Sequence, residues 1–197
     1  TNFSILLNNL SINTINLLIP TLYSTTLLGL YSLMYKVLAA PFAFLGNSIN
    51  QVFLEEAVRQ KNDTAEAFDL TKRMVLQLSL VSFLFFGVAY FVVEDLFAFI
   101  FGEEWKMSGL YAKYLIPFFM FKFIASPLTS IHTAFEKQKL SFTLQLIMFV
   151  ISVGAILYAY IYSCSFEQYL LLFSVLMSIF YIFRIAIILR ISKNKIA

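Results

Sequence analysis

Two stretches of the chain, residues 140–162 and 167–190, run the width of a bilayer almost without charge, and the first holds no Asp, Glu, Lys or Arg at all. A hydrocarbon layer about 30 Å thick takes roughly 20 helical residues to cross. No water reaches backbone N–H and C=O groups there, so such a stretch folds as a helix that closes its hydrogen bonds internally. The rest of the chain suits the same solvent. It is 60% hydrophobic and 13% charged, against roughly 45–50% and 25% in soluble domains. Disorder is excluded by that apolar content. A net charge of +3 with no isolated basic block gives nucleic-acid binding no support. The single cysteine, Cys164, excludes an internal disulfide framework and a thiolate metal cluster. The expected fold class is an all-α integral membrane protein.

Six segments have the length of a span: about 3–24, 28–53, 74–101, 109–134, 140–162 and 167–190. The first two are peppered with Asn, Ser and Thr, and the third is apolar as far as Val93, with Glu94-Asp95 expected at an interface. Residues 54–73 form the one substantial hydrophilic connector. Arg59, Lys61, Lys72, Arg73, Lys137, Lys139, Arg190, Lys193 and Lys195 all fall in 54–73, 135–139 and 190–197, whereas the alternate connectors hold Lys106, with Lys113 at the edge. The positive-inside bias therefore puts the first set in the cytoplasm, with both ends of the chain on that side. The opening Thr1-Asn2-Phe3 already reads as the interior of a helical pattern, so a piece of a longer protein is expected.

Ionisable side chains inside spans mark function, because hydrocarbon strongly disfavours them. Lys122 lies near the middle of the fourth span and shares a helical face with Ser126, Thr129 and Thr133, a polar stripe that suits a water-filled cavity. Lys36 shares its face with Gly29, Ser32, Ala40, Ala43, Asn47 and Asn50, which fits either a cavity wall or close helix packing. Arg184 stands among Met177, Phe180 and Tyr181 near the cytoplasmic end, where snorkelling is the expected behaviour, and Lys113 is expected to meet headgroups. No Asp or Glu falls clearly within a span. Intramembrane lysines without carboxylate partners call for an anion from elsewhere, and phosphate suits a compact ammonium.

Asn9, Asn13 and Asn16 line one face of the first span, where they offer donors and acceptors to sugar hydroxyls or to neighbouring helices. All four prolines, Pro20, Pro41, Pro117 and Pro127, lie in spans, and interrupted helices of this kind surround central cavities in transporters. His132 precedes Glu136 by four residues, a spacing that is usually an interfacial hydrogen-bonded pair. No metalloprotease motif, acidic metal cluster, glycine-rich phosphate loop or nucleophile elbow is present. Neither catalysis nor a cofactor is expected.

The segment Gly29-Leu-Tyr-Ser-Leu-Met-Tyr-Lys-Val-Leu-Ala-Ala-Pro41, continuing to Gln51-Val-Phe-Leu-Glu-Glu-Ala57, resembles the seventh and eighth spans of bacterial polysaccharide flippases. So do Phe101-Gly-Glu-Glu-Trp-Lys-Met-Ser-Gly-Leu-Tyr-Ala112 and Ala125-Ser-Pro-Leu-Thr-Ser130 leading into Glu136-Lys-Gln-Lys139. These flippases belong to the multidrug/oligosaccharidyl-lipid/polysaccharide superfamily. The resemblance implies a C-terminal bundle of about six helices from a two-bundle transporter that moves polyprenyl-pyrophosphate-linked oligosaccharide across the bacterial cytoplasmic membrane. Its partners would be that anionic lipid, the surrounding bilayer and an N-terminal bundle. Lys122 and Lys36 would then face the pyrophosphate, with Asn9, Asn13, Asn47 and Ser126 as polar contacts. The alternatives are an ion-coupled multidrug or small-molecule exporter of the same superfamily, which would rely on intramembrane carboxylates, and a non-transporting scaffold, in which Lys36 and Lys122 would tolerate alanine.

Overall fold

The computed structural model describes residues 18–64 and 66–193, without the side chains of residues 43–45 and 47. Secondary structure among the described residues is entirely helical. After a short helical stretch at 18–22, the chain forms α1 (Thr25–Thr64), α2 (Phe68–Phe101), a 3-10 turn at Glu103–Trp105, α3 (Lys106–Ala125), a 3-10 segment at Ser126–Ser130, α4 (Ile131–Ala134), α5 (Gln138–Ile161) and α6 (Phe166–Ser192). Four segments, Phe68–Phe101, Glu103–Ala134, Gln138–Ile161 and Phe166–Ser192, are long and apolar enough to cross a membrane. They make the chain a multi-pass helical membrane protein.

The expected spans and the helices differ in two instructive places. The first expected span lies mostly outside the described residues. The second is part of a 40-residue helix, α1, which absorbs the first half of the hydrophilic connector without a break. At 1.5 Å per residue α1 is about 60 Å long, twice the hydrocarbon thickness. Its Asn, Ser and Lys content leaves it below the hydropathy of the four apolar segments. Glu94 and Asp95 lie within helix α2, inside the expected span 74–101.

Contacts sort the chain into two ends. At the basic end the Ala67 amide donates to the Ser192 carbonyl at 2.8 Å, joining the start of α2 to the finish of α6. There also Lys61 Nζ, from α1, meets Glu136 Oε1 at 3.0 Å and the Ala134 carbonyl at 2.9 Å. At the opposite end Phe166 is an aromatic hub, with ring centroids 5.3 Å from Tyr23, 6.5 Å from Tyr31 and 5.2 Å from Tyr111. Ser165 caps α6 there reciprocally: its hydroxyl accepts from the Gln168 amide, and the Gln168 side chain accepts from the Ser165 amide.

Between the ends, α3 is the central helix, packed on α1, α2 and α6. Apolar attraction does not separate helix from lipid, so close packing and interhelical hydrogen bonds hold such a bundle. Ser82 of α2 donates to the Met120 carbonyl at 2.9 Å, and Ser108 of α3 donates to the Leu30 carbonyl at 3.2 Å. Both serines are fully buried. Phe118 of α3 meets Phe173 and Tyr181 of α6 at 5.5 and 5.8 Å.

Glu136 turns the chain from α4 into α5 with φ +57°. An L side chain costs about 1–2 kcal/mol in that region, and an exposed ion pair returns at most about 1 kcal/mol. Glu136→Gly is therefore expected to match the wild type within about 1 kcal/mol in thermal unfolding. Glu136→Val, branched at Cβ, should fall well below both. Equal losses in the two variants would contradict this account of the turn.

Candidate functional site

Lys122 stands on the last turn of α3, where its carbonyl accepts the Ser126 amide. Pro127 lacks an N–H and cannot continue the ladder to Phe123, so the chain tightens into the 3-10 segment that follows. The α-helical face expected to run from Lys122 through Ser126, Thr129 and Thr133 is broken at that point. Ser126 is partly buried, its carbonyl accepting from Thr129 Oγ1 at 2.9 Å, while Thr133 is exposed. Asn50 of α1 anchors the irregular segment from across the interface. Its Nδ2 donates to the Pro127 carbonyl at 2.8 Å, and its own carbonyl accepts from Ser130 Oγ at 3.4 Å.

The partly buried Lys122 ammonium sits in an aromatic cage. Phe118 and Phe119 come from the preceding turn of α3, and Tyr35 and Phe42 from α1. The four ring centroids lie 5.2 Å (Tyr35), 5.4 Å (Phe42), 5.3 Å (Phe118) and 5.2 Å (Phe119) from Nζ. Nζ also donates to Tyr35 Oη at 3.0 Å. Ring quadrupoles stabilise a cation by about 0.5–1 kcal/mol when exposed and about 2 kcal/mol or more when desolvated. An ammonium has three donors, and one of them is used here. Among the described residues no carboxylate pairs with Lys122. The cage holds the charge without neutralising it.

Tyr35→Phe removes the hydrogen bond and keeps the ring. We expect it to lower stability by about 1 kcal/mol, with Tyr35→Ala costing clearly more, as read from thermal unfolding in detergent. Equal losses would place the ring outside the cation's stabilisation.

Among the other expected site residues, Ser126 follows Lys122 at the end of α3, and the rest are exposed or lie outside the described residues. Lys36, next to Tyr35 in sequence, is exposed, as are Gly29 and Ala40 of the same face. Asn47 belongs to α1, but its side chain is outside the described residues, as are Asn9 and Asn13 altogether. Lys113, expected at headgroups, pairs with Glu94 of α2 at 2.6 Å and lies over the Tyr90 ring at 5.8 Å.

Two further expectations are corrected. Arg184 does not snorkel: it is 6% exposed, on the face of α6 that also buries Met177, Phe180, Tyr181 and Ile188. His132 makes no pair with Glu136. The turn at Phe135–Glu136 carries Glu136 off the helical face to Lys61, and neither His132 ring nitrogen has a hydrogen-bond partner among the described residues. The aromatic cage was also missed, although Phe118 and Phe119 stand four and three residues before Lys122, the helical spacing that makes neighbours.

Comparison with known proteins adds an independent finding. A family model described as polysaccharide biosynthesis protein matches residues 1–109, over half of the chain, and covers α1 and α2 in full. No curated protein and no solved structure gives a match. The chain belongs to the polysaccharide biosynthesis protein family.

Proposed function

We propose that this chain is the C-terminal bundle of a flippase that carries polyprenyl-pyrophosphate-linked oligosaccharide from the cytoplasmic to the outer leaflet. Two bundles would rock about the substrate to give alternating access, without bond-breaking chemistry and without a cofactor. The basic end of the bundle would face the cytoplasm of a bacterium, as the positive-inside bias requires. The glycan would be a precursor of O-antigen, capsule or exopolysaccharide.

The observation that carries this reading is the caged, unneutralised ammonium of Lys122 between α1 and α3. Such a group attracts an anion to membrane depth, and a pyrophosphate is the anion that a polysaccharide-building membrane supplies. Family membership supports the same class of substrate. Lys36, on the exposed face of α1, would meet the substrate or the second bundle. An ion-coupled exporter would need a free intramembrane carboxylate. Glu94, within α2, is already held by Lys113.

Deletion of the gene tests the reading in cells. Loss of surface polysaccharide, with lipid-linked oligosaccharide accumulating in the inner leaflet, is the expected phenotype. Intact polysaccharide together with raised sensitivity to cationic drugs would replace the flippase by the exporter.

A further inference from the structure

We propose that residues 194–197 fold back from the end of α6 into a groove between α1 and α2, setting Lys195 among Asp63, Glu66 and Asp69 and Ile196 against Phe68 and Leu70. These four residues lie outside the described part of the chain, and the inference does not depend on the transport reading. The groove, about 660 Å³ in volume, is formed by the end of α1 and the start of α2. Phe68 and Leu70 give it an apolar wall, and Glu56, Asp63, Glu66 and Asp69 outnumber Arg73, the one base among its described lining residues. Glu56 is engaged by Arg59 at 2.8 Å and Gln60 at 2.9 Å. Among the described residues, Asp63, Glu66 and Asp69 take part in no ion pair.

Helix α6 delivers the chain to this groove. The Ser192 carbonyl accepts from the Ala67 amide at 2.8 Å, one residue before Phe68. Lys193 Nζ then lies 3.9 Å from the centroid of the Phe68 ring, a cation–π contact with the groove wall itself. Four further residues reach about 13 Å when extended. Asp69 adjoins Phe68 in sequence and Glu66 precedes it by two, so both acids fall inside that reach. Charge selects the occupant. Carboxylates repel the anionic headgroups of a bilayer and attract an ammonium, and Lys195 followed by Ile196 matches an acidic rim beside an apolar wall. Exposed ion pairs are individually weak, but a tether this short supplies an effective concentration on the order of millimolar. The contact latches the end of α6 to the turn between α1 and α2.

The test uses full-length protein in proteoliposomes, with Cys164→Ser removing the native thiol. Thr64→Cys, in the groove lining, and Ala197→Cys are added, and the pair is oxidised with copper phenanthroline. An internal disulfide is expected, forming at least about tenfold faster than in the same protein carrying Lys195→Glu, and more slowly as salt is raised. Glu66 and Asp69 are exposed, so reversing them leaves the bundle folded. Glu66→Lys together with Asp69→Lys should restore fast bridging to the Lys195→Glu protein, which a loss of structure would not do. Slow bridging in the parent, a rate indifferent to Lys195→Glu, or no restoration by the reversed groove overturns the proposal. Covalent dimers in place of the internal bridge would seat a second copy's segment in the groove and overturn it as well.

Discussion

Gly109→Ala is expected to drive α2 and α3 apart. A Cβ at this position would lie 2.6 Å from Glu94 Cα, 2.8 Å from the Val93 carbonyl oxygen and 3.1 Å from the Glu94 amide nitrogen. All three are backbone atoms, so no side-chain rotation relieves the contact and a whole helix must move. The ion pairs flanking the contact would go with it: Lys113 to Glu94, four residues on, and Lys106 to Asp95 at 3.9 Å, three residues before. Overpacking of a filled core costs about 1–3 kcal/mol, and a backbone clash belongs at or above the upper end. Gly109→Leu should leave no folded protein. Gly29, Gly87 and Gly154 would meet nothing within 4 Å, so alanine there should change the thermal midpoint little. A Gly109→Ala protein as stable as those controls would contradict the close approach of α2 and α3.

Lys122→Met is the second large effect. Methionine keeps the unbranched stem and much of the volume, so the Tyr35, Phe42, Phe118 and Phe119 cage should hold its shape. What disappears is the charge. The protein should still fold, losing about as much stability as Tyr35→Phe, which breaks the same hydrogen bond, and transport of a pyrophosphate-linked substrate should fall at least tenfold, equivalent to about 1.4 kcal/mol. Lys122→Arg preserves the cation and stacks on aromatic faces, so it should recover most of the activity. A methionine variant that transports normally would leave Lys122 a structural cation.

Much of the fold was legible because hydrocarbon imposes few solutions. The charge-free stretches at 140–162 and 167–190 correspond to α5 and α6 within a few residues. Polar content in α1 obscured where a span stops and a surface helix begins. Orientation within the bundle was harder to read. In water an apolar face means core, but in lipid it means either core or bilayer, so the face of α6 around Arg184 looked lipid-exposed and is buried. The polar stripe after Lys122 assumed 3.6 residues per turn through a proline that forces a tighter helix. Lys122 itself was visible as a mid-span cation. Its partners on α1 were not, because nothing in one sequence reports which helices pack together.

Reconstituting the full-length protein in proteoliposomes and following a pyrophosphate-linked oligosaccharide from one leaflet to the other is the most direct measurement. The flippase reading predicts translocation by wild type, its loss in Lys122→Met and its return in Lys122→Arg. Folded wild-type protein that leaves the lipid-linked oligosaccharide in its original leaflet would contradict it.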